Sequence, residues 1–249
     1  MSMATGVMAE KMVTFEQAAS IVVPQATRSY MPVANGDLIR TVGDILKTTF
    51  GVDDSALTLT LGLSQKDQQM FGAYIVKSEA LTDTRFQSRM MYCFRNSYNR
   101  SLSIAAAAGA HCWVCDNKQI SGEVVELRKH TTNIWRDLEP LLLKTAQGAA
   151  GEFSKAMGQA KQLAGAELNQ RQMFQLVGVA QGEGVLKPQQ ASVAIREIKE
   201  ASHEEHSAPT AWSLYNAFTQ GIKRGNAGTE ITRHHKVQKF FDAEFALVN

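Results

Sequence analysis

Arginines and aromatic rings share the stretch Arg89-Met-Met-Tyr-Cys-Phe-Arg95-Asn-Ser-Tyr-Asn-Arg100. Guanidinium groups pair with phosphate oxygens, and aromatic faces stack on bases, so this mixture suits an anionic, planar-ringed partner such as single-stranded nucleic acid. Arg128-Lys129-His130 adds a second basic run, and Trp113 and Lys118 lie between the two. The candidate contact residues are therefore Arg89, Arg95, Tyr98, Arg100, Trp113, Lys118, Arg128, Lys129 and His130. Arg95, Arg100, Arg128 and Lys129 would meet phosphate, while Tyr98 and Trp113 would offer stacking surfaces. The same stretch equally suits a hairpin whose outer face is basic, with Tyr92 in the core.

Other residues with chemical potential form weaker sets. Cys112-Trp-Val-Cys115, beside His111, provides one cysteine pair where a structural zinc site needs four ligands. On a strand, residues three apart also point to opposite faces. His203-Glu-Glu-His206 lacks the four-residue spacing of a helical zinc motif and reads as a charged, solvated linker. His234-His235, between Arg233 and Lys236, reads as water-facing or as a basic cluster for phosphate. No glycine-rich phosphate loop and no Gly-x-Ser-x-Gly elbow is present. Asp116 and Glu123 would need to converge with His111 or His130 to act as acid and base, and spacing cannot show that. The sequence thus assigns no catalytic residues, no metal ligands and no cofactor.

The elements that position these residues follow from hydrophobic periodicity. Leu38, Val42, Ile45 and Leu46 mark a helix from Asp37 to Thr49, capped by Asn35 or Asp37 and stopped at Gly51. Leu57, Leu59 and Leu61 then alternate with polar residues as a strand. Ser64–Gln68 reads as a turn and Met70–Lys77 as the returning strand. Further strands fall at Phe86–Arg95, Ser101–Ala107, His111–Cys115 and Ile120–Leu127, with Gly109 breaking the run. Strands this closely spaced form an antiparallel meander, because parallel neighbours need long crossovers. One sheet face would lie against helices and the other would display Arg89 and Arg95 outward. From Thr131 the pattern is helical, with Pro140 as a kink or boundary and a helix from Thr210 to Lys223 carrying Trp212, Tyr215 and Phe218. The fold class is α+β: one helix, an antiparallel meander of five to six strands, then a helical C-terminal half. Residues 1–24 read as a flexible leader or short helix, 25–131 as a β-rich basic core, and 132–249 as a helical region packed on the core or extending it.

Composition bounds the rest. Net charge is only +2, so any basic surface must be local. Between Thr84 and Arg136 eight Lys or Arg face three acids, which is the largest local excess. Three cysteines do not make a disulfide framework, and no signal peptide or membrane span is evident. A soluble cytoplasmic protein is the expectation.

Several ordered blocks carry a resemblance. They are Arg28-Ser-Tyr-Met-Pro-Val33 with Asp37-Leu-Ile39, Phe94-Arg-Asn-Ser-Tyr-Asn-Arg-Ser101, Val114-Cys-Asp-Asn117 with Ser121-Gly-Glu123 and Arg128-Lys-His-Thr131, and Thr210-Ala-Trp-Ser-Leu-Tyr-Asn-Ala-Phe-Thr219. Together they resemble the phage/plasmid-like family of bacteria and their mobile elements, a domain of unknown function, over residues 25 to 245. That resemblance implies a protein encoded by a phage or plasmid and transfers no catalytic residues. In plan the chain is also similar to phage single-strand annealing proteins, which assemble into rings or filaments around DNA. The expectation is a non-catalytic, homo-oligomeric protein that binds single-stranded DNA in recombination or replication. The alternative is an interaction protein that inhibits or redirects a host factor; Trp212, Tyr215 and Phe218 suit partner anchors, though core packing suits them better.

Overall fold

A computed structural model describes residues 9–112, 118–119, 126–128, 130, 133–223 and 230–247. The chain enters through a short strand β1 (Lys11–Val13) and helix α1 (Phe15–Ala19), so the segment expected as a flexible leader or short helix supplies regular structure from Lys11 onward. Helix α2 (Asn35–Phe50) buries Leu38, Val42 and Leu46 and ends at Gly51 with φ 63°, the left-handed cap that glycine favours. Its expected side-chain cap is absent: Ala34 holds the N-cap position. The backbone N–H of Asn35 instead donates to Tyr98 Oη at 2.9 Å, so a distant residue satisfies an orphan donor of the first turn.

The sheet is built on four long strands, β2 (Leu57–Ser64), β3 (Gln69–Val76), β5 (Ser88–Ser97) and β6 (Ile104–Cys112). Short pieces join them: β4 (Thr82–Asp83), β7 (Lys118–Gln119) and β8 (Glu126–Arg128). All described pairings are antiparallel, in the order β1-β2-β3-β5-β6-β7, with β4 on β5 and β8 on β6. The α+β meander is the architecture observed. β6 runs unbroken through Gly109, contrary to the expected division into two strands. Gly109 lies opposite Met91 in the register, and the larger side chain across the ladder is fully buried.

Alternation sorts the strands into two faces. Leu61, Leu63, Met70, Tyr74, Met90, Tyr92, Phe94, Ile104 and Ala106 pack beneath α2 and helix α3 (Ile134–Gly165) in one core. Tyr92 Oη donates to the Leu142 carbonyl at 2.9 Å and so pins β5 to α3. The opposite face was expected to be open, yet Phe71, Ala73, Met91 and Ala107 form a second buried cluster there, with Ala9, Cys93 and Leu102 against it.

Helix α3 passes through Pro140 without a break. The proline removes one bond, to the Arg136 carbonyl, on a side of the helix where both residues are exposed. Beyond it, α4 (Gln170–Gly182), α5 (Pro188–Lys199), α6 (Ala211–Ile222) and α7 (Glu230–Glu244) enclose another core. Tyr215, Phe218, Phe240 and Phe241 interlock there with ring centroids 5.0 to 5.7 Å apart. Tyr215 and Phe218 are core residues, not exposed anchors. His234 is also buried rather than water-facing, because its position on α7 turns inward three residues before Val237. Among the described residues no helix is long and apolar enough to cross a membrane.

Candidate nucleic-acid interface

Sheet register divides the candidate contact residues between two ends of one ladder. Arg95 pairs with Ala105, and Arg128 pairs with the neighbouring Ile104, so both belong to the end where β5 turns into β6. Tyr98, Arg100 and His130 lie at that same end. Arg89 pairs with His111, and His111 with Lys118, at the other end. Six residues of strand separate Arg89 from Arg95, about 20 Å. The two groups do not form one patch. Trp113 and Lys129 lie outside the described residues, as do Asp116, Cys115 and Glu123.

The end carrying Arg100 is the more elaborate. Tyr30 Oη donates to the Ser97 and Tyr98 carbonyls at 3.5 and 3.4 Å. Asn96 Nδ2 donates to the Val33 carbonyl at 2.7 Å and to Asn35 Oδ1 at 2.8 Å, while Asn35 Nδ2 donates to the Ala18 carbonyl at 3.3 Å. The Met31 N–H donates to the His130 carbonyl at 3.2 Å, and the His130 ring tilts against Tyr30 with centroids 5.3 Å apart. Three of the recognisable sequence blocks, around Tyr30, Asn96 and His130, therefore meet in one buried polar junction. Asn96 thus ties the strand end to α2. Asn99 shapes the turn: Asn99 Oδ1 accepts from Ser97 Oγ at 2.7 Å, from the Ser101 N–H at 3.1 Å and from Ser101 Oγ.

Two expected contact residues belong to this scaffold. Tyr98 is 5% exposed and its hydroxyl is engaged with α2, so it offers no stacking face. Burial raises its pKa above the usual tyrosine value. His130 is 6% exposed, and burial lowers its pKa, so it contributes no surface charge at neutral pH. Both were read as accessible because aromatic and imidazole rings in polar company look solvated in one dimension.

What reaches solvent here is arginine. Arg100 is exposed, sits at φ 60°, and holds its guanidinium 4.2 Å from the centre of the Tyr30 ring. It makes no ion pair among the described residues. Arg28, two residues before Tyr30, is exposed and likewise unpaired among them. Sequence reading missed Arg28, although it opens one of the recognisable blocks. Arg95 is half-buried and donates from Nε to the Ser103 carbonyl at 3.3 Å. Burial lowers its pKa, yet a guanidinium remains charged at physiological pH. Arg89 is also half-buried, so neither arginine of β5 is displayed as fully as an open face would allow.

No curated protein and no solved structure was found to match the chain. A family model does match, over residues 25–244. That span takes in strands β2 to β8, the junction of Tyr30, Asn96 and His130, and every helix from α2 to α7, and the chain belongs to the family described as Domain of unknown function (DUF932).

Proposed function

We propose that this protein binds single-stranded nucleic acid, as a non-catalytic component of a phage- or plasmid-borne system. The contact surface is the sheet end around Arg28, Arg95 and Arg100, with Arg128 beside it in the backbone register. The observation that carries this reading is Arg100. A turn at φ 60° is met at lowest cost by glycine or asparagine, and an arginine there costs about 1 kcal/mol. The position nonetheless bears an exposed cation, fixed over a tyrosine ring and matched with no carboxylate among the described residues. Strain of this kind concentrates where a side chain is used. With Tyr98 in the core, the surface is one that grips phosphates more than one that stacks bases.

Fluorescence anisotropy with a labelled oligothymidylate, titrated with salt, tests the reading. Each phosphate contact contributes about 0.7 to the slope of log affinity against log salt, so three arginines weaken binding roughly 20-fold between about 50 and 200 mM salt. Arg28→Ala with Arg100→Ala should reduce that slope by about 1.4. An unchanged slope and affinity in the double variant would remove the basis of the proposal. Duplex of the same sequence provides the comparison for strand preference.

A further inference from the structure

Two cavities open on either side of the short 3₁₀ turn Glu204–His206, between α5 and α6. The larger, about 300 Å³, is lined by Met173, Glu197, Ile198, Lys199 and Ser213 among others. The smaller, about 200 Å³, is lined by Arg85, Gln87, Glu205 and Trp212 among others. His206 forms part of both walls. Its two ring nitrogens are shielded from solvent, and neither has a hydrogen-bond partner among the described residues. The turn itself is solvated at Glu204, Glu205 and Ser207, as the sequence suggests, and the His206 ring nitrogens are the exception. A shielded imidazole next to empty volume calls for a polar partner.

Charge indicates which partner. The carboxylates of both cavities are already engaged. Glu197 accepts from the Ser202 N–H at 3.0 Å and from Ser202 Oγ at 2.7 Å. Glu205 is held by its own backbone N–H and by the Gln87 side chain, and it also lies within electrostatic reach of His206 and His203, without a hydrogen bond to either ring. The cations are not so engaged. Lys199 Nζ stands 6.0 Å from the Phe174 ring and Arg85 Cζ 5.3 Å from the Phe86 ring, and neither is ion-paired among the described residues. Both cavities also adjoin the first turn of α6, whose dipole adds positive potential. Met173 and Ile198 give the larger cavity an apolar wall, and its volume reaches the low end of small-molecule sites.

We propose that the larger cavity binds a small organic anion, a carboxylate or a phosphate monoester. Its charged head lies between His206 and Lys199, and its apolar part rests on Met173 and Ile198. The site is separate from the arginine cluster at the sheet end and does not depend on the nucleic-acid reading.

The test uses the full chain labelled with ¹⁵N-histidine, titrated with phenyl phosphate, 3-phenylpropionate and inorganic phosphate against sodium chloride at matched ionic strength. His206→Phe identifies the His206 ring resonances by their loss. The expected result is a saturable shift of those resonances with a Kd below about 1 mM for at least one organic probe. Saturation by phenyl phosphate and inorganic phosphate alone assigns a phosphoryl head, and saturation by 3-phenylpropionate alone assigns a carboxylate. Lys199→Met, at an exposed position and checked for an unchanged circular dichroism spectrum, should raise that Kd at least tenfold. No saturable His206 shift with any probe, or an unchanged Kd in Lys199→Met, overturns the proposal.

Discussion

Arg100 separates what the fold needs from what the surface does. Its backbone angle favours glycine, so Arg100→Gly should leave stability unchanged or raise it by up to about 1 kcal/mol, as urea unfolding would report. Oligonucleotide affinity in the same variant should fall; a variant that loses stability and keeps affinity would assign Arg100 to the scaffold. His130, beneath the same tyrosine ring, carries a pH dependence of opposite character. Burial lowers its folded pKa below the ordinary 6.5, so in that window the unfolded chain binds more protons. Stability is therefore highest above about pH 6.5 and falls as pH drops towards the folded pKa. Denaturant midpoints at several pH values should show this slope, and His130→Phe should flatten it. Arg95 and Arg100 were legible in the sequence as types, and Arg28 was not singled out. Their accessibility was not legible, because exposure depends on what the second sheet face and the α2 start place over them.

At the scale of elements, local patterning and long-range geometry part company. Alternating Leu57, Leu59 and Leu61, and the helical stripe from Leu38 to Leu46, announce their structures because each is set by residues a few positions apart. The cap of α2 is invisible locally, since its acceptor is a hydroxyl 63 residues further along the chain. Register is equally non-local. Whether Arg89 and Arg95 work together follows from how β5 and β6 align, which hydrophobic period alone cannot give. Gly72 shows the same limit from inside the sheet. It faces Phe94 across β3 and β5, and a β-carbon there would lie 2.2 Å from the ring. Gly72→Ala must displace Phe94 from the core and should cost about 1–3 kcal/mol, measured as a fall in the denaturation midpoint. An unaltered midpoint would mean that the ring moves freely, contrary to its burial.

The whole molecule is organised along α3. Its first turns cover the sheet with Ile134, Leu138 and Leu142, and its last turns enter the helical core with Leu163. Gln238 Nε2 donates to Gln159 Oε1 at 3.0 Å and to Asp242 Oδ1 at 2.8 Å, while Tyr215 Oη donates to Gln238 Oε1 at 3.2 Å, so α3, α6 and α7 share one buried polar network. Trp212 packs against both cores and meets Phe86 edge-on at 5.4 Å. Sheet and helices should thus unfold in one cooperative transition, with far-ultraviolet dichroism and tryptophan emission tracing coincident curves; two separated midpoints would show that the halves are independent. The position of α3 in the chain has a further consequence during synthesis. Four long strands emerge from the ribosome before a helix that covers part of their apolar face. Until α3 arrives, α2 is the only long helix described on that face, and the part that α3 covers, around Tyr92, lacks its partner. Synthesis from Cys112 to Gly165 is therefore the interval in which exposed apolar strand surface favours aggregation over folding.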